Sequence, residues 1–170
     1  MKDKNLTVSI EQALRIVLES VSPLGSENVS ILEAPGRVLY DDIVADTMVP
    51  PADDSAMDGF ALIAGDTSCA SRDNPVELRI AGEVQAGGSI AGNEVSRGTA
   101  VRIMTGAPVP TGADAVIPIE DTEEDRGRVK VFREVPQFEN FRFAGESIKK
   151  GNTVLCSCLL YTSPSPRDRG

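Results

Sequence analysis

Three aspartates lie within six residues of one another and form the densest group of chemistry-bearing side chains in the sequence. Asp53, Asp54 and Asp58 follow two prolines within residues 49–61, and Asp58-Gly59 is a turn dipeptide that presents a carboxylate on a bent backbone. Such a carboxylate could hold a donor group of a substrate or a hydrated divalent cation, which prefers oxygen ligands. A plain turn with local hydrogen bonds is the alternative, and the spacing does not match a calcium loop.

A second polar segment, residues 102–114, begins where an apolar strand runs into Thr105-Gly106, and prolines at 108 and 110 stiffen the loop that follows. A hydroxyl beside a bare backbone at a strand end suits an anionic or oxygen-rich ligand. The loop contains no lysine and no helix begins after it, so it is not a P-loop. A stiff hairpin connection is the alternative.

A third segment, residues 140–148, contains Arg142 and Glu146. Arg142 could clamp an oxyanion and Glu146 could orient a ligand, although a solvated surface pair is the alternative. Cys156 and Cys158 have the spacing of half a metal site. Because there is no second cysteine pair and no histidine, we predict no metal site built by the protein.

Composition excludes several classes of function. Seventeen Lys and Arg against twenty-six Asp and Glu give a formal charge of −9 without a basic cluster, so we expect no nucleic-acid or membrane partner. The absence of histidine rules out Ser-His-Asp and Cys-His catalysis. No apolar run approaches the ~20 residues of a membrane span and no secretory signal follows the start. We therefore expect a cytoplasmic protein.

One helix and several short strands must position these segments. Apolar residues recur at helical spacing over 10–21, with a capping-box pattern of Ser9 and Gln12 before Pro23 ends the helix. Short apolar or alternating runs predict strands at 29–32, 38–40, 43–45, 76–80, 101–104, 115–117 and 129–133. The acidic run 120–125 is predicted to be a hydrated turn.

These elements predict a mixed α/β, strand-rich fold with an N-terminal helix, a small α/β lobe and an inserted β-barrel-like lobe. We divide the chain into a helical segment (5–26), a small mixed lobe (27–49 with 136–155), a β-rich lobe (50–135) and a tail (156–170). The Ser-Pro-Ser-Pro core of the tail favours a disordered, extended backbone. The tail is either natural or a foreign sequence joined to the gene, and we favour the foreign origin.

The polar segments together resemble a known family. Residues 54–61, 102–110 and 140–146 have the order and approximate spacing of the molybdopterin molybdenumtransferases, the MoeA and gephyrin E-domain family. The helix and residues 34–39 are similar to the start of those proteins, and the resemblance covers about residues 5 to 155.

The resemblance implies a role in molybdenum cofactor synthesis, in which the substrate molybdate is inserted into adenylated molybdopterin with release of AMP, using Mg²⁺. It implies that Asp58 and Thr105 are catalytic and that the cleft is completed by the partner subunit of a homodimer. The same motifs supply the expected substrate-binding residues, which are Ser55, Gly106, Arg142 and Glu146.

This sequence departs from the family in two respects. Ser147 stands where the family usually has the aspartate of Gly-Glu-Asp, so we assign it no catalytic role. Family members are also much longer, and the resemblance covers only their N-terminal region. We therefore expect an incomplete piece that is inactive alone, with its helix poorly buried because the surface on which that helix packs is missing.

Two other functions remain open. One is a non-catalytic binding or dimerisation module built on the β-rich lobe. The other is a small carboxylate-based Mg²⁺ hydrolase that uses Asp53, Asp54 and Asp58.

Overall fold

The computed structural model describes residues 8–22 and 24–162. The chain forms two compact units, one containing the described residues up to Asp42 together with residues 156–162, and the other Ile43–Leu155. The pairing of residues at the two ends of the second unit keeps residues 43–155 together, and the predicted boundaries at 49/50 and 135/136 lie inside this unit. The finer division of that unit into a small lobe and a β-rich lobe stays a prediction.

The first unit contains the predicted helix, α1 (Ile10–Ser20). Its N-terminus carries the complete capping box: the Gln12 backbone N–H donates to Ser9 Oγ over 3.2 Å, and the Ser9 N–H donates to Gln12 Oε1 over 3.1 Å. The helix ends one residue before the predicted end, because Val21 is extended. None of its residues is buried, and Leu14 and Leu18 are 57% and 61% exposed, as expected.

Two predicted strands of this unit are wrong or reduced. Residues 29–32 contain the start of a 3₁₀ turn, Ile31–Glu33, because the Ser30 side chain accepts the Leu32 N–H and nucleates a turn instead. The strand predicted at 38–40 is reduced to a single antiparallel bridge between Val38 and Leu160.

The prediction of a disordered tail is wrong for residues 156–162. The Leu39 N–H donates to Leu159 O over 2.9 Å and the Cys158 N–H donates to Leu39 O over 2.8 Å. These backbone hydrogen bonds give the segment a defined antiparallel partner. Residues 163–170, including the Ser-Pro repeat, lie outside the described residues, and the foreign origin of the tail stays a prediction.

The second unit contains ten short strands, numbered along the chain. They are β1 (Ile43–Val44), β2 (Asp54–Ser55), β3 (Gly59–Leu62), β4 (Val76–Val84), β5 (Thr99–Ile103), β6 (Ala115–Pro118), β7 (Thr122–Asp125), β8 (Arg128–Val131), β9 (Phe141–Arg142) and β10 (Thr153–Leu155). Two further 3₁₀ turns are Ala64–Thr67 and Ile119–Asp121. The fold is therefore strand-rich mixed α/β, as predicted.

Six strands form one sheet in the order β6-β3-β5-β4-β8-β7, antiparallel except for the parallel pair β4–β5. Side chains alternate across β3, so that Phe60 belongs to one buried cluster and Ala61 to the other. All four residues of β3 are buried, and a Cβ added at Gly59 would overlap the Ile117 carbonyl oxygen. The core therefore sits on both faces of β3.

The acidic run is not the predicted turn. Residues 122–125 are strand β7, which pairs with β8 at the edge of the sheet, so that Thr122 lies opposite Val131 and Asp125 opposite Arg128. The carboxylates are tolerated because three of the four residues of β7 are exposed, and charged side chains suit an edge strand since they oppose further strand pairing.

Two small ladders complete the unit and bring distant polar segments together. β1 pairs with β10, and β2 pairs with β9, both antiparallel. The peptide bond between Val49 and Pro50 is cis, and the Pro50 carbonyl accepts the Gly145 N–H over 2.9 Å. Across residues 8–22 and 24–162, we find no helix of the length and apolarity that a bilayer crossing requires.

Candidate functional site

The structure brings Asp58 and Thr105 into direct contact. Asp58 precedes β3 and Thr105 follows β5, and these strands are antiparallel neighbours with Gly59 opposite Ile103. Asp58 Oδ1 accepts two hydrogen bonds from Thr105, one from the backbone N–H and one from Oγ1, each of 2.7 Å. Both residues are exposed to solvent. The pair is thus available to a ligand, although its catalytic role stays a prediction.

The two hydrogen bonds favour the ionised form of the Asp58 carboxyl. The Thr105 backbone N–H, and then its hydroxyl, hold the pKa of the Asp58 carboxyl below its ordinary value of 3.8. The carboxylate is therefore charged at neutral pH and acts only as an acceptor. Among the described residues, no protein donor binds its second oxygen, Oδ2, which leaves that atom for a ligand.

Arg142 is held by a partner that the sequence did not identify. Asp54 and Arg142 lie opposite each other in the β2–β9 ladder, and Arg142 Nε and Nη2 donate to the two Asp54 oxygens over 2.7 and 2.9 Å. The Asp54 side chain is 11% exposed, whereas the Arg142 side chain is 45% exposed. A bidentate pair with one buried carboxylate orients the guanidinium and leaves part of it open to solvent.

Gly106 connects the two polar pairs. It lies next to Thr105, has a φ of +77°, and its backbone approaches Arg142 so closely that an added Cβ would lie 3.8 Å from Nη2. Its N–H donates to Ser55 O over 2.8 Å. The carboxylate of Asp58 and the guanidinium of Arg142 therefore flank one loop, residues 105–106, at the end of β5.

Ser55 is fully buried, and its hydroxyl is used locally. Ser55 Oγ donates to Met57 O over 2.6 Å and accepts the Met57 N–H over 3.2 Å, which closes the turn that leads to Asp58. The predicted substrate-binding role of Ser55 stays a prediction. In this structure its hydroxyl supports the turn that carries Asp58.

Glu146 and Asp53 stabilise the neighbouring turn. Glu146 Oε2 accepts the Phe143 N–H over 2.9 Å, and Asp53 Oδ1 accepts the Ala144 N–H over 2.8 Å. Glu146 therefore orients the 143–146 backbone within the structure as described, and its contact with substrate stays a prediction. Ser147 contributes its backbone N–H to the Val49 carbonyl, 3.0 Å away.

The three aspartates are not assembled into a metal site. Asp53 caps a turn, Asp54 is paired with Arg142, and Asp58 is bound by Thr105. No group of three or more His, Cys, Asp or Glu side chains among residues 8–22 and 24–162 could hold a metal ion. The hypothesis of a hydrolase that holds Mg²⁺ on Asp53, Asp54 and Asp58 gains no support from this arrangement, because each of the three carboxylates has a different protein donor.

The six-stranded sheet and the two ladders indicate the class of protein to which the chain belongs, because the same fold occurs in a protein of molybdopterin biosynthesis. The crystal structure of the molybdopterin biosynthesis MoeA protein from Pyrococcus horikoshii OT3 matches with a TM-score of 0.80 and 38% identity, covering 93% of this chain and 41% of that one. The family model for the MoeA N-terminal region (domain I and II) matches residues 8–160. The chain belongs to the MoeA family, in its N-terminal region.

Similar curated proteins carry one name. Molybdopterin molybdenumtransferase 2 of Mycobacterium tuberculosis is 40% identical over 154 residues, which are 91% of this chain and 38% of that protein. Molybdopterin molybdenumtransferase of Bacillus subtilis is 37% identical over 159 residues, 91% of this chain and 37% of that protein. The chain thus spans less than two fifths of the length of these relatives. The family match also includes residues 156–160, within the segment predicted to be a tail.

Proposed function

We propose that this chain is the N-terminal part of a molybdotransferase that inserts molybdate into adenylated molybdopterin with release of AMP, and that it is inactive alone. Membership of the family, with coverage of less than two fifths of the relatives, supports both statements. The observation that carries the assignment of a site is the exposed, ionised Asp58 bound twice by Thr105.

The Asp58–Thr105 and Asp54–Arg142 pairs differ in charge and therefore suit different groups of the substrate. An ionised carboxylate repels an oxyanion but accepts a hydrogen bond from a substrate N–H or O–H group. Asp58 would therefore orient a donor group of the pterin or ribose. Thr105, which is hydrogen-bonded to Asp58, would hold the carboxylate in position. The exposed part of the Arg142 guanidinium is suited to a phosphate or molybdate oxygen.

The cofactor and assembly are part of the same proposal. We expect Mg²⁺ to enter with the phosphate oxygens of the substrate, since Mg²⁺ commonly binds that way and the described residues form no cage for it. We expect the whole protein to be a cytoplasmic homodimer without nucleic-acid or membrane partners. The net charge of −9 supports the expected absence of nucleic-acid and membrane partners.

Release of AMP tests the proposal. The purified chain, supplied with adenylated molybdopterin, molybdate and Mg²⁺, is expected to release no AMP, and turnover would contradict its incompleteness. A chimera tests the site: residues 8–160 replace the matching region of the Bacillus subtilis relative. In that chimera, Asp58→Asn is expected to reduce molybdate-dependent AMP release by about 10²-fold or more, because a positioned acceptor is lost.

The matched control is Asp73→Asn, which removes the same charge from an exposed loop residue of the same unit. It should leave AMP release unchanged. Equal activity of the Asp58→Asn and Asp73→Asn chimeras would remove Asp58 from the mechanism. If the chimera binds adenylated molybdopterin but releases no AMP, the alternative of a non-catalytic binding module is favoured.

A further inference from the structure

Two backbone hydrogen bonds hold the turn that carries Asp58. The Ala56 N–H donates to Asn140 O over 2.9 Å, and the Ile119 N–H donates to Asp58 O over 3.0 Å. Asn140 directly precedes β9, whereas Ile119 begins the 3₁₀ turn after β6. Beside the hydrogen bonds from Ser55 and Thr105, the turn, residues 56–58, is therefore held by two segments outside the β3–β5 pair, where the β2–β9 and β3–β6 ladders continue by one position.

One guanidinium connects those two segments. Arg133 Nη2 and Nη1 donate to the two oxygens of Glu139 over 2.7 and 3.0 Å, and Nε donates to Asp121 Oδ2 over 2.8 Å. Glu139 is adjacent to Asn140, and Asp121 ends the 3₁₀ turn that Ile119 begins. A planar guanidinium suits this arrangement because its donors have fixed directions, and a bidentate pair within a network is more effective than an isolated surface pair.

The network is partly shielded from water. The side chains of Arg133 and Glu139 are 36% and 25% exposed. Hydrogen bonding to Glu139, and then to Asp121, raises the pKa of Arg133 above its ordinary value, so that the cation persists at every ordinary pH. Beyond Glu139, the Asn140 side chain donates to Val116 O over 2.9 Å, while the Val116 N–H donates to Glu139 O over 3.0 Å. Residues 139–140 therefore lie along the outer edge of β6.

We infer that Arg133 is a positioning residue: by joining Asp121 to Glu139, it holds Ile119 and Asn140 in the places from which they fix the Asp58 turn against Thr105. The inference takes the functional importance of Asp58 from the proposed function. Arg133 is hydrogen-bonded to neither Asp58 nor Thr105 in the described structure, and it acts through the backbone of two intervening segments. It lies outside all the polar segments singled out in the sequence.

Amide hydrogen exchange of the full 170-residue chain, followed by NMR without substrate, tests the inference. In Arg133→Gln, we expect the amides of Ala56, Ile119 and Thr105 to exchange about tenfold faster, because their acceptors lose fixed positions. The amides of β4 should exchange at the parent rate, which separates positioning from a general loss of stability. Arg133→Lys keeps the charge without the bidentate fork and should give an intermediate acceleration.

The matched control is Arg72→Gln, which removes one positive charge from an exposed residue of the same unit and should change none of these rates. Unchanged rates at Ala56, Ile119 and Thr105 in folded Arg133→Gln would overturn the inference. If Arg133→Gln does not fold, Asp121→Asn should accelerate Ile119 and Glu139→Gln should accelerate Ala56. The absence of both effects would be equally decisive against it. Because no substrate is used, failure of the proposed catalytic role of Asp58 would leave these results standing.

Discussion

At the scale of single residues, Thr105 stabilises one ionisation state of Asp58 through a single oxygen atom. Because the backbone N–H makes the larger contribution, the side-chain hydroxyl adds to an interaction that the loop alone already provides. Both donors therefore hold the carboxylate in place and lower its pKa, and removal of the hydroxyl alone leaves the backbone hydrogen bond.

The pH dependence of this pair follows from the direction of the shift. A lowered pKa means that the Thr105–Asp58 hydrogen bonds stabilise the fold above pH 3.8 and are lost as the pH falls through the lower value in the folded state. The Thr105 amide proton shift should therefore titrate with a midpoint below 3.8. Thr105→Val should raise that midpoint without bringing it to the ordinary value, and Thr105→Ser should preserve it. A parent midpoint at or above 3.8 would contradict the assignment.

The polar segments and the family resemblance singled out Asp58 and Thr105, whose catalytic role stays a prediction, but they did not identify the partner of Arg142. Asp54 and Arg142 are separated by 88 positions in the sequence. Their pairing depends on the register of two two-residue strands, which no local pattern encodes. For the same reason, Glu146 and Ser55 were recognised as polar residues of the right segments, whereas the turns that occupy their side chains could not be inferred.

At the scale of elements, the sequence predicted best those features that depend on interactions between residues close together in the chain. The capping box of α1 was predicted and is present, since Ser9 and Gln12 are three residues apart and need no tertiary context. Strands with alternating or apolar patterns were also located. By contrast, the edge strand β7 was missed, because its acidic side chains face water and its pairing with β8 is a backbone property.

The cap of α1 should control the stability of that helix. Ser9→Ala removes the side-chain acceptor of the Gln12 N–H, and we expect a loss of about 0.5–2 kcal/mol in helix stability. The loss should appear as reduced helical ¹³Cα shifts in Ile10–Ser20, since no buried contact compensates. Ser26→Ala, at an exposed position in the same unit, is the control and should leave those shifts unchanged. Equal helicity in the two variants would show that the cap contributes nothing.

At the scale of the whole molecule, burial is confined to one unit. Every buried hydrophobic residue of the described chain lies between Phe60 and Val135, within the second unit. The described residues of the first unit contain no buried hydrophobic side chain and are joined by backbone hydrogen bonds. The boundaries of these units could not be read from composition, because they depend on the pairing of β1 with β10.

Truncation of a leucine in the core of the second unit should cost much more unfolding free energy than truncation of an exposed leucine in the first unit. Leu78 in β4 is 1% exposed, so Leu78→Ala is expected to lower the free energy of unfolding of the sheet by about 2–5 kcal/mol. Leu32→Ala removes the same atoms from a side chain that is 87% exposed and should cost less than about 0.5 kcal/mol. Urea denaturation followed by sheet amide signals measures both. Similar losses in the two variants would contradict the confinement of the core.

The position of β3 in the sheet has a consequence for synthesis on the ribosome. Its two neighbours, β5 and β6, both come later in the chain, and the parallel pair β4–β5 also needs a long connection. At translation rates of ~5–20 residues per second, the apolar strand Gly59–Leu62 leaves the exit tunnel several seconds before β6 can cover it. During that interval the nascent chain exposes β3, all four residues of which are buried in the folded protein. The exposed β3 segment is then a natural target for chaperones that bind emerging polypeptides.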